Sequence, residues 1–64
     1  MSILVNGVEQ ERLGSVAELV ATVTREFRGV AVAINGEVVP RGEWAARHLA
    51  EGDSVEILTA AQGG

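Results

Sequence analysis

The chain closes on Ala60-Ala61-Gln62-Gly63-Gly64, and its last two residues are the ones best suited to chemistry. Neither glycine carries a Cβ, so Gly63-Gly64 can thread a narrow channel and lie extended against another protein's backbone. The α-carboxylate of Gly64 is then an unhindered nucleophile toward an activated phosphate. Once activated, its carbonyl carbon is an equally open electrophile. With 8 glycines in 64 residues, two in a row at the end is a roughly 1.6% event from composition alone. That is suggestive of a job for the terminus but does not decide it. A tail of this kind is a handle, with a partner supplying the catalysis.

The rest of the chain offers little that competes. His48 is the only histidine and has no nucleophile or carboxylate at a readable spacing, so it reads as ordinary surface. Glu9 and Glu11 fall on one side of an exposed strand, where solvation accounts for both. No cluster has metal-ligand spacing, and Glu51-Gly52-Asp53 is far short of a calcium loop. Ser15 opens a helix, as the phosphopantetheine-bearing serine of acyl carrier proteins does. Those domains are all-helical and place an aspartate where this chain has Gly14. No catalytic residue and no metal site is assigned.

Composition narrows the partners. The net charge is −4, and the five basic residues (Arg12, Arg25, Arg28, Arg41, Arg47) are dispersed. Counterion release has little to work with, so nucleic acid is not expected. An acidic protein of this size is suited to basic surfaces on other proteins. There is no lysine, which excludes Schiff-base chemistry and a lysine-borne biotin or lipoate. There is no cysteine, which excludes a disulfide, a zinc–thiolate site and a persulfide held on this chain. No apolar run approaches the roughly 20 residues of a membrane helix, and MSILVNGVEQ lacks the features of a secretory signal. A cytoplasmic protein with no membrane partner is the expectation.

The handle needs a fold to hold it out. Ile3–Val5, the Asn6-Gly7 pair and a strand at about 8–12 read as a hairpin, because a type I′ turn needs positive φ at both central residues. Ser15 and Glu18 have the spacing of a capping box. Val16, Leu19, Val20, Val23 and Phe27 then form an apolar stripe, predicting a helix of about three turns closed by Gly29. Val30–Ile34 alternates, Asn35-Gly36 repeats the hairpin signal, and Pro40 ends the return strand. Residues 41–50 read as a looser connection with a turn of helix near Trp44–His48; Trp44 either packs over the core beside Leu49 or lies exposed as a partner anchor. Glu51-Gly52-Asp53 turns the chain into a last strand, Ser54–Leu58, with Val55 and Ile57 inward.

One amphipathic helix with these strands packs best as a mixed sheet of four to five strands with the helix across one face. The last strand is then central or near it. The domain spans residues 1–59, and 60–64 form a flexible diglycine tail. Leu4, Ala31, Ala33 and Leu58 fall on the sheet face away from the helix. A contiguous patch there would be a docking surface.

The order of Ile34-Asn35-Gly36-Glu37-Val38-Val39-Pro40-Arg41, Glu43-Trp44, Gly52-Asp53 and Gly63-Gly64 resembles the ThiS family, the sulfur carriers of thiamine biosynthesis. The likeness runs over essentially the whole chain. One departure is Ala60-Ala61-Gln62, where a bulkier aliphatic residue is expected before the glycines. The resemblance implies a β-grasp, ubiquitin-like fold and a carrier that is not itself an enzyme. It also implies that a ThiF-type adenylyltransferase uses ATP and magnesium to make an acyl-adenylate at Gly64. Sulfur, drawn from cysteine through a desulfurase and a persulfide, then leaves a thiocarboxylate. A ThiG-type thiazole synthase accepts it. No cofactor is expected on this chain. The alternatives are the small subunit of molybdopterin synthase or another thiocarboxylate carrier, and a binding-only β-grasp domain whose diglycine is incidental.

Overall fold

The computed structural model describes residues 2–11, 14–24 and 28–59. Five strands form one sheet: β1 (Ser2–Val5), β2 (Val8–Glu11), β3 (Val30–Ile34), β4 (Glu37–Val38) and β5 (Ser54–Thr59). Their order is β2-β1-β5-β3-β4. Only β1 and β5 run parallel; the other neighbours are antiparallel. The sheet is therefore mixed, and the last strand is its centre.

Both hairpins turn where their asparagine–glycine pairs lie. Asn6 and Gly7 have φ 51° and 84°, and Asn35 and Gly36 have φ 53° and 85°. Positive φ at both central positions matches the right-handed twist of the flanking strands. β2 is described as far as Glu11; Arg12, the predicted end of that strand, lies outside the described residues.

Among the described residues there is one α-helix, α1 (Val16–Val23), which begins at the capping box. Glu18 N–H donates to Ser15 Oγ at 3.2 Å, and Ser15 N–H donates to Glu18 Oε1 at 3.3 Å. Two further N–H groups of the first turn donate to carbonyls of the 41–50 segment, Val16 to Arg47 at 2.9 Å and Ala17 to Trp44 at 3.1 Å. The donors that a helix N-terminus leaves over are thus satisfied inside the protein. This also fastens the longest connection of the chain to the helix.

Gly14 makes the cap possible. Its φ is +89°, and a Cβ added there would collide with Glu18 Oε1. Gly14→Ala is expected to cost about 1–2 kcal/mol, from left-handed strain plus a weakened cap. Urea denaturation measures this; an unchanged midpoint would mean that Glu18 swings away at no cost.

The helix is shorter than its sequence stripe suggests. It ends at Thr24 (φ −152°, ψ 151°) after eight residues, about two turns. Thr22, Val23 and Thr24 are three β-branched residues in a row, a poor run for a helix interior. Val23, predicted to continue the stripe, is exposed. Gly29 takes positive φ in the turn before β3 rather than closing the helix. Phe27 lies outside the described residues.

Val16, Leu19 and Val20 face Ile3, Val5, Val32, Ile34, Val55 and Ile57, so α1 covers one face of the sheet. Val39, Trp44 and Leu49 complete this core from the β4–β5 connection. That connection opens with a 3-10 turn, Arg41–Glu43, three residues ahead of the predicted helical turn. Pro40, with φ −61°, sets the chain up for it. His48 instead makes an isolated bridge with Ser15.

Candidate functional site

Gly63 and Gly64, the access and sulfur-carrying positions of the sequence reading, lie outside the described residues, as do residues 60–62. The structure describes their launching point. Thr59, the last residue of β5, pairs with Val30 at the start of β3. In the sequence the tail therefore follows directly after the central strand, which lies between β1 and β3.

The two sides hold that strand differently. β3 accompanies β5 over its length, from Ile34 opposite Val55 to Val30 opposite Thr59. β1 accompanies it only from Leu4 opposite Ser54 to Val5 opposite Val55. Past that point the Asn6 side chain takes over: Ile57 N–H donates to Asn6 Oδ1 at 2.8 Å, and Asn6 Nδ2 donates to the Ile57 carbonyl at 3.1 Å. Asn35 does similar work at the start of β5. Its Oδ1 accepts Ser54 N–H at 3.0 Å, and its Nδ2 donates to Asp53 Oδ1 at 3.1 Å. Asp53 Oδ2 in turn accepts Ala50 N–H at 2.8 Å, which shapes the turn into β5. Both asparagines are visible in the sequence as turn formers; nothing local signals that their side chains reach β5.

The sheet face away from α1 carries all four residues of the predicted docking face. Ala31 and Leu58 are directly opposite each other. Ala33 lies between Glu56 on β5 and Val38 on β4. Leu4 is flanked by Ser54 and Glu9. Because Glu56 stands between Ser54 and Leu58 along β5, Leu4 is set apart from the other three. The continuous apolar strip is Leu58, Ala31, Ala33 and Val38, with Leu58 67% and Val38 73% exposed. Val38 escaped the sequence reading because a two-residue strand before a proline shows no alternation. Glu9, Glu11 and Glu56 are the ionisable residues of the strands on this face: Glu56 borders the strip beside Ala33, and Glu9 and Glu11 lie farther off on β2.

His48 is exposed and its backbone pairs with Ser15, while Ser15 and Glu18 are occupied with each other in the cap. Among the described residues no group of three or more His, Cys, Asp or Glu side chains is placed to hold a metal ion. No described helix is long and apolar enough to cross a membrane.

Comparison with known proteins agrees with this architecture. Two solved structures from Geobacter metallireducens are similar at 33% identity. One is a crystal structure of thiamine biosynthesis protein (ThiS), with TM-score 0.74 and full coverage of both chains. The other is an NMR solution structure of a thiamine biosynthesis protein, with TM-score 0.78, covering 100% of this chain and 88% of that one. Among curated proteins no match is found. The sequence model of the ThiS family matches residues 3–64, through both closing glycines. With its mixed five-stranded sheet and a helix across one face among the described residues, the chain belongs to the ThiS family and has the β-grasp fold.

Proposed function

We propose that this protein carries sulfur for thiamine thiazole biosynthesis on the carboxyl group of Gly64, and that partner enzymes do the chemistry. The observation that carries the reading is the tail's place. Gly64 follows the last residue of the central strand of a ThiS-family domain by five positions, beyond every residue of the described core. Residues 1–59 act as the rigid holder and 60–64 as the substrate arm.

In the first step a Gly64 carboxylate oxygen attacks the α-phosphorus of ATP, and magnesium pyrophosphate leaves. A ThiF-type adenylyltransferase supplies the site, the nucleotide and the metal. The acyl-adenylate carbonyl then accepts a sulfur nucleophile, and AMP departs with the former carboxylate oxygen. The sulfur comes from a partner persulfide fed by a cysteine desulfurase, since this chain has no cysteine. Reductive cleavage of the S–S bond by a thiol leaves a terminal thiocarboxylate. That group is a better sulfur nucleophile than a carboxylate, and its tether prevents loss of free sulfide. A ThiG-type thiazole synthase is the acceptor in the cytoplasm.

The apolar strip of Leu58, Ala31 and Ala33, continued by Val38, with Leu4 at its margin, serves as the docking surface for these enzymes. The glutamates of this face suit basic partner surfaces. The thiamine-named structural neighbours favour this acceptor over a molybdopterin synthase.

Intact mass after incubation with a ThiF-type enzyme, magnesium-ATP and a sulfur donor tests the proposal. One oxygen replaced by sulfur, mapped to Gly64, is the expected result. Neither adenylate nor sulfur on the chain would leave the diglycine incidental and overturn it.

A further inference from the structure

We infer that Asn6 is a positioning residue for the tail: its side-chain amide completes the β1 edge of β5 at Ile57 and so sets how far the strand is held on both sides before the tail departs. The inference rests on the carrier reading for its consequence, but its structural basis stands alone.

The backbone of β5 presents alternate residues to its two neighbours. Leu4 N–H donates to the Asp53 carbonyl and Asn6 N–H to the Val55 carbonyl, both on the β1 side. Ile57 is next in that series, and its N–H and C=O face the same way. β1 has already turned at Asn6-Gly7. Without a substitute, the amide and carbonyl of a residue only 4% exposed would meet no strand, which is costly for buried backbone. The Asn6 carboxamide has one acceptor and one donor at the spacing of a peptide group, and it satisfies both. It thus stands in for one more residue of β1.

This substitute cannot be extended. By the same alternation Thr59 turns its N–H and C=O toward the β1 side, one step beyond the carboxamide. Asn6 therefore keeps β5 held on both sides as far as Ile57, and beyond it Leu58 and Thr59 are paired by β3 alone. The two-sided hold thus ends two residues before Thr59, the residue from which the arm departs. A tail delivered into a partner's site gains from a defined origin, because reach and direction at the reacting atom are set by the last rigid residue.

Asn35 supplies the matched control. It has nearly the same φ, sits in the same kind of turn and binds the same strand through its carboxamide, but at Ser54, the end away from the tail. Asn6→Gly and Asn35→Gly both keep a residue tolerant of positive φ and remove only the side chain. Amide hydrogen exchange on the free protein reads the clamp. Asn6→Gly is expected to speed exchange at Ile57 by about tenfold or more relative to Asn35→Gly, as loss of a buried hydrogen bond implies. Adenylation kinetics read the positioning. Asn6→Gly is expected to lower kcat/KM about tenfold, with Asn35→Gly within about twofold of the parent.

Unchanged protection at Ile57 in Asn6→Gly would overturn the clamp. Exposed Ile57 with parental kinetics, or equal kinetic losses in the two variants, would reduce Asn6 to a structural part and overturn its positioning role. Failure of the parent protein to be adenylated at all would sink the carrier reading instead, while the exchange comparison still decides whether Asn6 clamps β5 at Ile57.

Discussion

Deleting Gly64 is expected to abolish loading with sulfur while leaving the fold and its stability unchanged. The truncated chain still ends in a glycine carboxylate, now on Gly63, so the chemical group is the same. What changes is reach, by one extended residue or about 3.5 Å. Misplacement of a reacting group by about 1 Å can cost 10²-fold, so a whole residue should take adenylation below detection, a loss of at least about 10³-fold. The buried core runs from Ile3 to Ile57, and Gly64 lies seven residues past its end. The denaturation midpoint should therefore match the parent. Mass spectrometry of the variant with an activating enzyme and magnesium-ATP gives the first result, and urea titration gives the second. Loading at the parental rate would mean that position along the tail is irrelevant. Unfolding on deletion would mean that the tail is part of the domain and not an arm held out by it.

How far the sequence foretells this molecule depends on how local each cause is. The two asparagine–glycine turns were legible because two consecutive positive φ values leave few residue types to choose from. The capping box was legible because all its atoms lie within four residues. Alternation in Val30–Ile34 and Ser54–Leu58 placed Val32, Ile34, Val55 and Ile57 inward, and all four are buried. The length of α1 was misjudged because a periodic stripe says which face is apolar but not where the backbone leaves the helix. The β-branched run Thr22-Val23-Thr24 held that information and was outweighed by the stripe. Residues 41–50 have no period at all. Their course is set by bonds such as Leu49 N–H to the Gly14 carbonyl at 2.7 Å, which tie them to the entry of α1 more than thirty residues earlier. The Asn6–Ile57 clamp was invisible for the same reason, since its partners are 51 residues apart and meet only once β1 and β5 pair. The proposed chemistry of the tail, by contrast, rests on residue type and position alone, and Gly63 and Gly64 lie outside the described residues.

Trp44→Ala is expected to carry the domain to the edge of unfolding. Trp44 is only 4% exposed, and its indole N–H donates to the Val39 carbonyl at 2.9 Å. Its own carbonyl accepts Ala17 N–H in the first turn of α1. One residue thus fills the core from the irregular side and links the β4 end of the sheet to the helix. Truncating a buried tryptophan to alanine costs about 3–5 kcal/mol. A domain of this size has about 3–10 kcal/mol in total, at about 0.05–0.15 kcal/mol per residue. The single change therefore consumes a third to all of it. Trp44→Phe separates packing from hydrogen bonding: it keeps most of the ring and removes the donor, for an expected loss of about 1–3 kcal/mol. Urea denaturation followed by circular dichroism serves both variants, since neither retains the native fluorophore. The ordering parent, Phe, Ala follows from burial, with loading falling only as far as the folded fraction falls. A loss below about 1 kcal/mol in Trp44→Ala, combined with weakened binding to the activating enzyme, would contradict it. The indole would then be acting as an interface anchor, and the core would have to be closed by Val39 and Leu49 without it.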